Sequence, residues 1–167
     1  VIKKPNRAMM KLAIEQARRS VSEPGRVSPK VGAVVVDPRG RVLGKAYRGE
    51  IRSGEHAEYT LLERKLETAT LAGSTLYTTL EPCTDRNPPK MPCVERVIDR
   101  RFKQVVIGTL DPNSVVLGNG VMKLRRAGIE VVLFFPDLMS QLEELNREFE
   151  AIHKNLGQKT AEIVGRI

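Results

Sequence analysis

The sequence predicts an α/β fold, three layers deep, with a mixed sheet of about five strands flanked by helices. Two observations carry that prediction. Segments of helical period alternate with short β-rich runs, in the order helix, strand, strand, helix, strand, helix, strand, helix, strand, helix. The first two strands adjoin across a turn, which makes them an antiparallel hairpin within an otherwise alternating pattern.

Over residues 7–19, Met10, Leu12, Ala13, Ile14 and Ala17 recur at helical spacing between basic residues, as in an amphipathic helix. Residues 20–29 break it with Glu23-Pro24-Gly25 and Ser28-Pro29. The unbroken apolarity of 31–36 suits a buried strand, Asp37-Pro38-Arg39-Gly40 turns the chain, and 41–47 forms the partner. After a polar loop, Tyr59, Leu61, Leu62 and Leu66 give a helix that starts at Glu58. The strand at 74–80 delivers Glu81-Pro82-Cys83 from its carboxyl end, where active sites of such sheets lie. Pro88, Pro89 and Pro92 stiffen the following loop, and Cys93 opens a helix through Val94, Val97 and Ile98. A strand at 105–109, a loop with Asp111-Pro112-Asn113, a helix at 118–127 ended by Gly128 and a strand at 129–135 follow. Leu138, Leu142, Leu145 and Phe149 fall on one face of a closing helix, read as a packing helix, and residues 153–167 are expected to fray.

At 167 residues the chain suits one domain, spanning 1–167, that buries a core without disulfides and leaves no room for a second catalytic domain. Aromatics make up 4% with no Trp, so aliphatic packing carries the core. The net charge of +8 and pI of 9.8 favour anionic ligands, either phosphorylated small molecules or nucleic acid. No apolar run approaches bilayer length, so a membrane role has no support. Two cysteines without a surplus, and no signal-like start, point to a reducing cytoplasm.

Those two cysteines, Cys83 and Cys93, each follow a proline, and His56 and Glu58 stand upstream in Gly54-Glu55-His56-Ala57-Glu58. Taken singly, an H-A-E triplet is common by chance and free cysteines are usually buried small side chains. Together they form a catalytic-type metal site, because His56, Cys83 and Cys93 supply three ligands for Zn2+ and leave one tetrahedral position open for water. A purely structural zinc usually fills all four positions. Glu58, not needed as a ligand, is placed to take the water's proton and pass it to a leaving group, which is the chemistry of hydrolytic deamination. The helix start beneath His56 and Glu58 adds unpaired amide donors and a positive field.

H-x-E followed by P-C-x-x-C marks zinc deaminases, and here the gap to the second cysteine is wider. The long loop E-P-C-T-D-R-N-P-P-K-M-P-C after H-A-E resembles the pyrimidine deaminases of riboflavin biosynthesis, within the zinc-dependent cytidine deaminase superfamily. The resemblance runs from Ser28-Pro29-Lys30-Val31-Gly32 to Leu145-Asn146-Arg147-Glu148-Phe149. It implies a cytidine-deaminase-like fold and a diamino-hydroxy-phosphoribosylamino-pyrimidine substrate. The family's D-P-N-x-x-V-x-G-x-G is kept from Asp111 to Gly120, which implies that Asp111 and Asn113 contact substrate. Ser28 stands where the family has an asparagine that resembles a base or ribose contact, Arg48 where it has a histidine, and Arg86 or Lys90 replaces its phosphate-binding lysine, so the resemblance implies that Ser28, Arg48 and Lys90 also contact substrate. The reductase domain attached in many bacterial members is expected to be absent.

The expected function is therefore a zinc-dependent hydrolase that releases ammonia from an aminopyrimidine or related nucleotide-like heterocycle, acting as a homo-oligomer. Two alternatives stand beside it. A deaminase of bases in tRNA or single-stranded DNA would share the zinc chemistry but needs aromatic stacking partners, which are few here. A non-catalytic zinc-stabilised interaction domain would have no use for Glu58.

Overall fold

The computed structural model of the protein describes residues 4–113 and 116–154. Helix α1 (Arg7–Arg18) starts where the Asn6 side chain accepts a hydrogen bond from the Ala8 amide at 2.8 Å. Its buried Met10, Ala13, Ile14 and Ala17 lie against strand β1 (Gly32–Val36). Gly32 permits that approach, since a Cβ there would stand 2.1 Å from the Ala13 carbonyl oxygen and 2.5 Å from the Ala17 nitrogen.

Every residue of β1 is buried, and it pairs antiparallel with β2 (Val42–Tyr47) on one side and β3 (Thr75–Leu80) on the other. Strand β3 runs parallel to β4 (Gln104–Thr109), and β4 parallel to β5 (Glu130–Leu133), giving the order β2-β1-β3-β4-β5. Alternation along the strands splits the core in two. Ala33, Val35, Leu76, Val105 and Ile107 pack with Ala57, Val94, Val97, Val121 and Leu124 from α2 (Ala57–Tyr59), α3 (Cys93–Asp99) and α4 (Asn119–Arg126). Val34, Val36, Tyr77 and Val106 pack on the opposite face with α1 and α5 (Pro136–Leu145). This is the mixed five-stranded α/β/α arrangement that the sequence predicts.

Three elements depart from the sequence reading. The helix from Glu58 is α-helical only to Tyr59 and continues as a π-helix over Thr60–Lys65, with the Leu66 amide bonding the Leu61 carbonyl at 3.0 Å. Leu61 and Leu62 are both fully buried there, and the Arg100 guanidinium gathers the carbonyls of Leu62, Leu66 and Ala69 at 2.6–2.9 Å. Strand β5 stops at Leu133, because Pro136 already opens α5. The closing helix is interrupted at Asn146, whose side chain accepts from the Lys30 amide at 2.7 Å and donates to the Lys30 carbonyl at 3.1 Å. A separate helical segment, 147–154, follows, so Leu138 and Leu142 enter the core while Phe149 does not. The expected fraying tail begins inside that helical segment, and 155–167 lies outside the described residues. Among the described residues no helix is long and apolar enough to cross a membrane.

The topology gathers the predicted site at one edge of the sheet. Parallel β3 and β4 bring Glu81–Cys83 and Asp111 there from their carboxyl ends, while the start of antiparallel β1 and the end of β2 bring Ser28 and Arg48.

Candidate active site

His56 is the residue preceding α2, Cys93 the first residue of α3, and Cys83 follows β3. The His56 Nδ1 lies 3.7 Å from the Cys83 Sγ and 3.4 Å from the Cys93 Sγ, and the three ligand atoms all fall within 4.8 Å of one another. Imidazole nitrogen and thiolate sulfur bound tetrahedrally to one zinc stand about 3.5–3.8 Å apart, so the donor set and its spacing fit that metal. The Cys93 amide also donates to the Cys83 Sγ at 3.3 Å. The side-chain hydrogen bond from Cys93, helped by His56, draws the Cys83 thiol down to about 4. The same bond, together with burial, pushes Cys93 well above its usual value. Metal binding requires both sulfurs as thiolates, so it releases protons from this pair.

Glu58, on the first turn of α2, is 4% exposed. Burial raises its carboxyl pKa, against the pull of the neighbouring His56, and the Thr78 Oγ1 stands 3.0 Å from its Oε1. His56, Glu58 and Cys83 share a cavity of about 200 Å³ with Asp111, Phe149 and His153. Arg26, Arg48 and His56 also line a wider cleft of about 600 Å³, whose other cations include Arg52, Arg86 and Lys90.

The residues singled out from the family resemblance separate at this point. Asp111 lines the catalytic cavity, and burial raises its carboxyl pKa. Arg48 forms wall for both cavities; its Nη2 bonds the Glu23 Oε1 at 2.6 Å, while its buried Nε has no partner among the described residues. Lys90 is exposed and lines only the wider cleft. Ser28 does not line the catalytic cavity; its hydroxyl donates to the Glu23 Oε1 at 3.2 Å, beside a groove shared with Asn146 and Phe149. Asn113 also lies outside the cavity lining, and its amide holds the Asp111 Oδ1 at 2.9 Å.

Two features of the site escaped the sequence reading. Glu81, 5% exposed, accepts hydrogen bonds at Oε2 from the amides of Asp111 at 3.0 Å and Gly118 at 3.1 Å, and at Oε1 from Val121 at 3.1 Å. It therefore ties the Asp111 loop and the start of α4 to the end of β3. Gly120 makes room for this, since a Cβ there would stand 2.6 Å from the Pro82 carbonyl oxygen. The only available signals were the acid directly before Pro82-Cys83 and the paired glycines downstream. The second feature is the cavity wall formed by Phe149, which helical periodicity assigned to packing, and His153, which fell in the tail expected to fray.

One imidazole and two thiols beside a buried carboxylate in a cavity define a catalytic-type zinc centre. The family described as the cytidine and deoxycytidylate deaminase zinc-binding region matches residues 3–109. The chain is 41% identical over 153 residues to the riboflavin biosynthesis protein RibD of Aquifex aeolicus, covering 89% of this chain and 40% of that one. Acinetobacter baumannii RibD in its form 2 matches with a TM-score of 0.73 at 33% identity, covering 89% of this chain and 40% of that chain. The Thermotoga maritima diaminohydroxyphosphoribosylaminopyrimidine deaminase/5-amino-6-(5-phosphoribosylamino)uracil reductase matches with a TM-score of 0.66 at 40% identity, covering 83% and 38%. The chain belongs to the cytidine and deoxycytidylate deaminase zinc-binding family, and zinc is its cofactor. It spans between 26% and 40% of the length of the first curated relatives it matches.

Proposed function

We propose that this chain is a hydrolase that removes ammonia from a free, phosphorylated aminopyrimidine of the riboflavin-pathway type, as the names of its relatives describe for them. The observation that carries this reading is the burial of Glu58 in the same small cavity as His56 and Cys83. His56, Cys83 and Cys93 hold the zinc, which when bound supplies a Lewis acid that brings the pKa of a water toward neutrality.

The chain's own residues then do the following. The Glu58 carboxylate takes a proton from the attacking water as its oxygen bonds to the amino-bearing carbon, and gives that proton to the adjacent ring nitrogen. It takes the second proton from the new hydroxyl and delivers it to the amino nitrogen; the carbon–nitrogen bond breaks, a carbonyl forms and ammonia leaves. A carboxyl raised by burial is suited to both directions of transfer. Asp111 contacts the heterocycle and Asn113 holds Asp111 in place. Ser28 and Glu23 brace Arg48 between the two cavities. Lys90 and Arg86 meet the phosphate in the wider cleft.

The cavity of about 200 Å³ is of a size for one heterocycle, and the adjoining cationic cleft complements a phosphorylated arm, which favours a free substrate over a base in nucleic acid. Thiol ligands of this kind persist in a reducing cytoplasm, where we place the protein. Ammonia release by the zinc-loaded chain, measured across free aminopyrimidine phosphates, nucleotides and single-stranded oligonucleotides, tests the proposal. Release from an aminopyrimidine phosphate is expected. Release from oligonucleotides alone overturns it.

A further inference from the structure

The interruption at Asn146 changes what the end of the described chain does. Its two hydrogen bonds to Lys30 tie the chain to the segment just before β1, at the sheet edge that carries the site. From that anchor, helical residues 147–154 carry Phe149 and His153, one turn apart on one face, to the cavity that holds Glu58, Cys83 and Asp111. Their ring centroids are 4.0 Å apart with planes inclined by 35°. The His153 Nδ1 lies 3.0 Å from the Phe149 carbonyl oxygen. A carbonyl only accepts, so in the neutral ring the proton sits on Nδ1 and the lone pair on Nε2. Aromatic side chains are scarce in this chain, with four Phe, three Tyr and no Trp. The one other aromatic ring lining the cavity, among the described residues, is His56, which belongs to the metal cluster. Tyr59 stands in the wider cleft, with the Arg64 and Arg96 guanidinium groups 5.5 and 4.8 Å from its ring.

We infer that Phe149 and His153 are substrate-contacting residues: Phe149 stacks on the heterocycle, and His153 accepts a hydrogen bond at Nε2 from an exocyclic N–H of that ring. This rests on the proposed function and deepens it, because it assigns recognition of the ring to a segment outside the metal motif. A flat aromatic face recognises planar rings in general, while the single acceptor selects those with an amino or imino donor beside it.

The test uses the full zinc-loaded chain and the variants Phe149→Leu, Phe149→Tyr, His153→Leu and His153→Gln. Leucine fills the space of Phe149 without its ring, tyrosine keeps the ring, and glutamine keeps an acceptor at position 153. Calorimetric binding of the deaminated product, 5-amino-6-(5-phosphoribosylamino)uracil, is read beside KM, kcat, zinc content and Tm. Phe149→Leu is expected to raise both Kd and KM roughly ten- to hundred-fold, the loss typical of removing an aromatic partner from a base, with zinc content unchanged and kcat little altered. Phe149→Tyr stays within about threefold of the parent, and His153→Gln recovers most of what His153→Leu loses. Equal binding by Phe149→Leu and the parent, or equal losses in the leucine and tyrosine variants, overturns the inference. Turnover by the unsubstituted protein is read separately. A parent that releases no ammonia from any aminopyrimidine sinks the proposed function, whereas the leucine-to-tyrosine ratio in product binding judges the stacking role.

Discussion

Replacing Glu81 by Gln perturbs the site through three hydrogen bonds and changes almost nothing in volume. Glu81 offers two oxygens to three buried amides, with Asp111 and Gly118 on Oε2 and Val121 on Oε1. Glutamine has one oxygen and one NH2 group. In its better orientation the oxygen keeps Asp111 and Gly118, and the NH2 group faces the Val121 amide, donor against donor. One buried N–H left without an acceptor costs about 1–3 kcal/mol, and loss of charge assistance in the other two bonds adds about 1 kcal/mol. The sum, about 2–4 kcal/mol, corresponds to a fall in Tm of about 5–12 °C for a chain of this size. Because the same carboxylate fixes the Asp111 loop, KM for the aminopyrimidine rises while zinc content stays at the parent value. Thermal unfolding and steady-state kinetics of the zinc-loaded Glu81→Gln protein check both effects. A Tm within about 1 °C of the parent, with KM unchanged, would remove this role for Glu81, because the Val121 amide would then have found another acceptor.

Gly32→Ala drives a methyl group into the backbone of α1, 2.1 Å from the Ala13 carbonyl oxygen, and should destabilise the fold by about 3 kcal/mol; denaturant unfolding measures it. Glu23 is held below the usual carboxylate range, chiefly by its hydrogen bond from Arg48. Its contribution to stability is therefore present above the unfolded pKa, about 4.3, and is lost as pH falls through the lower folded value. The Tm gap between the parent and Glu23→Gln should accordingly be open at neutral pH and close on acidification. A gap independent of pH would contradict the ion-pair account. Cys83→Ser and Cys93→Ser should each abolish stoichiometric zinc, read by elemental analysis after dialysis, and full retention in both would remove these residues as ligands.

The parts of the fold that were legible in the sequence are those whose chemistry is local. A strand buried on both faces needs apolar residues without interruption, so β1 stands out as Gly-Ala-Val-Val-Val and β4 by its run Val-Val-Ile-Gly-Thr. The metal cluster is legible because imidazole and thiol are few in this chain and their order along it is fixed by the loops that carry them. What was not legible depends on contacts far apart in sequence. The clamp at the break in the closing helix joins Asn146 to Lys30, 116 positions away, and beyond that break Phe149 is cavity wall rather than core. Glu81 acts on an amide 30 residues downstream and another 40 downstream. The π-helical turns after Tyr59 are equally hidden, because Leu61, Leu62 and Leu66 fit the spacing of an ordinary α-helix. Ser28 and Asn113 were named from a family pattern, which records that a position matters and does not say whether it touches the cavity or, as with the Ser28 hydroxyl and the Asn113 backbone amide, braces a neighbour.

Glu58 is the residue on which the proposed deamination turns, because it moves the protons of the hydrolysis. Glu58→Gln preserves the size of the side chain and an oxygen for the Thr78 hydroxyl but cannot carry a proton between water, ring nitrogen and leaving group. The decisive measurement is ammonia release from an aminopyrimidine phosphate by the zinc-loaded variant, with zinc content and Tm confirmed equal to the parent. A loss of about 10²–10⁴-fold in kcat with KM little changed is expected. Parental turnover by zinc-loaded Glu58→Gln would rule out Glu58 as the proton carrier.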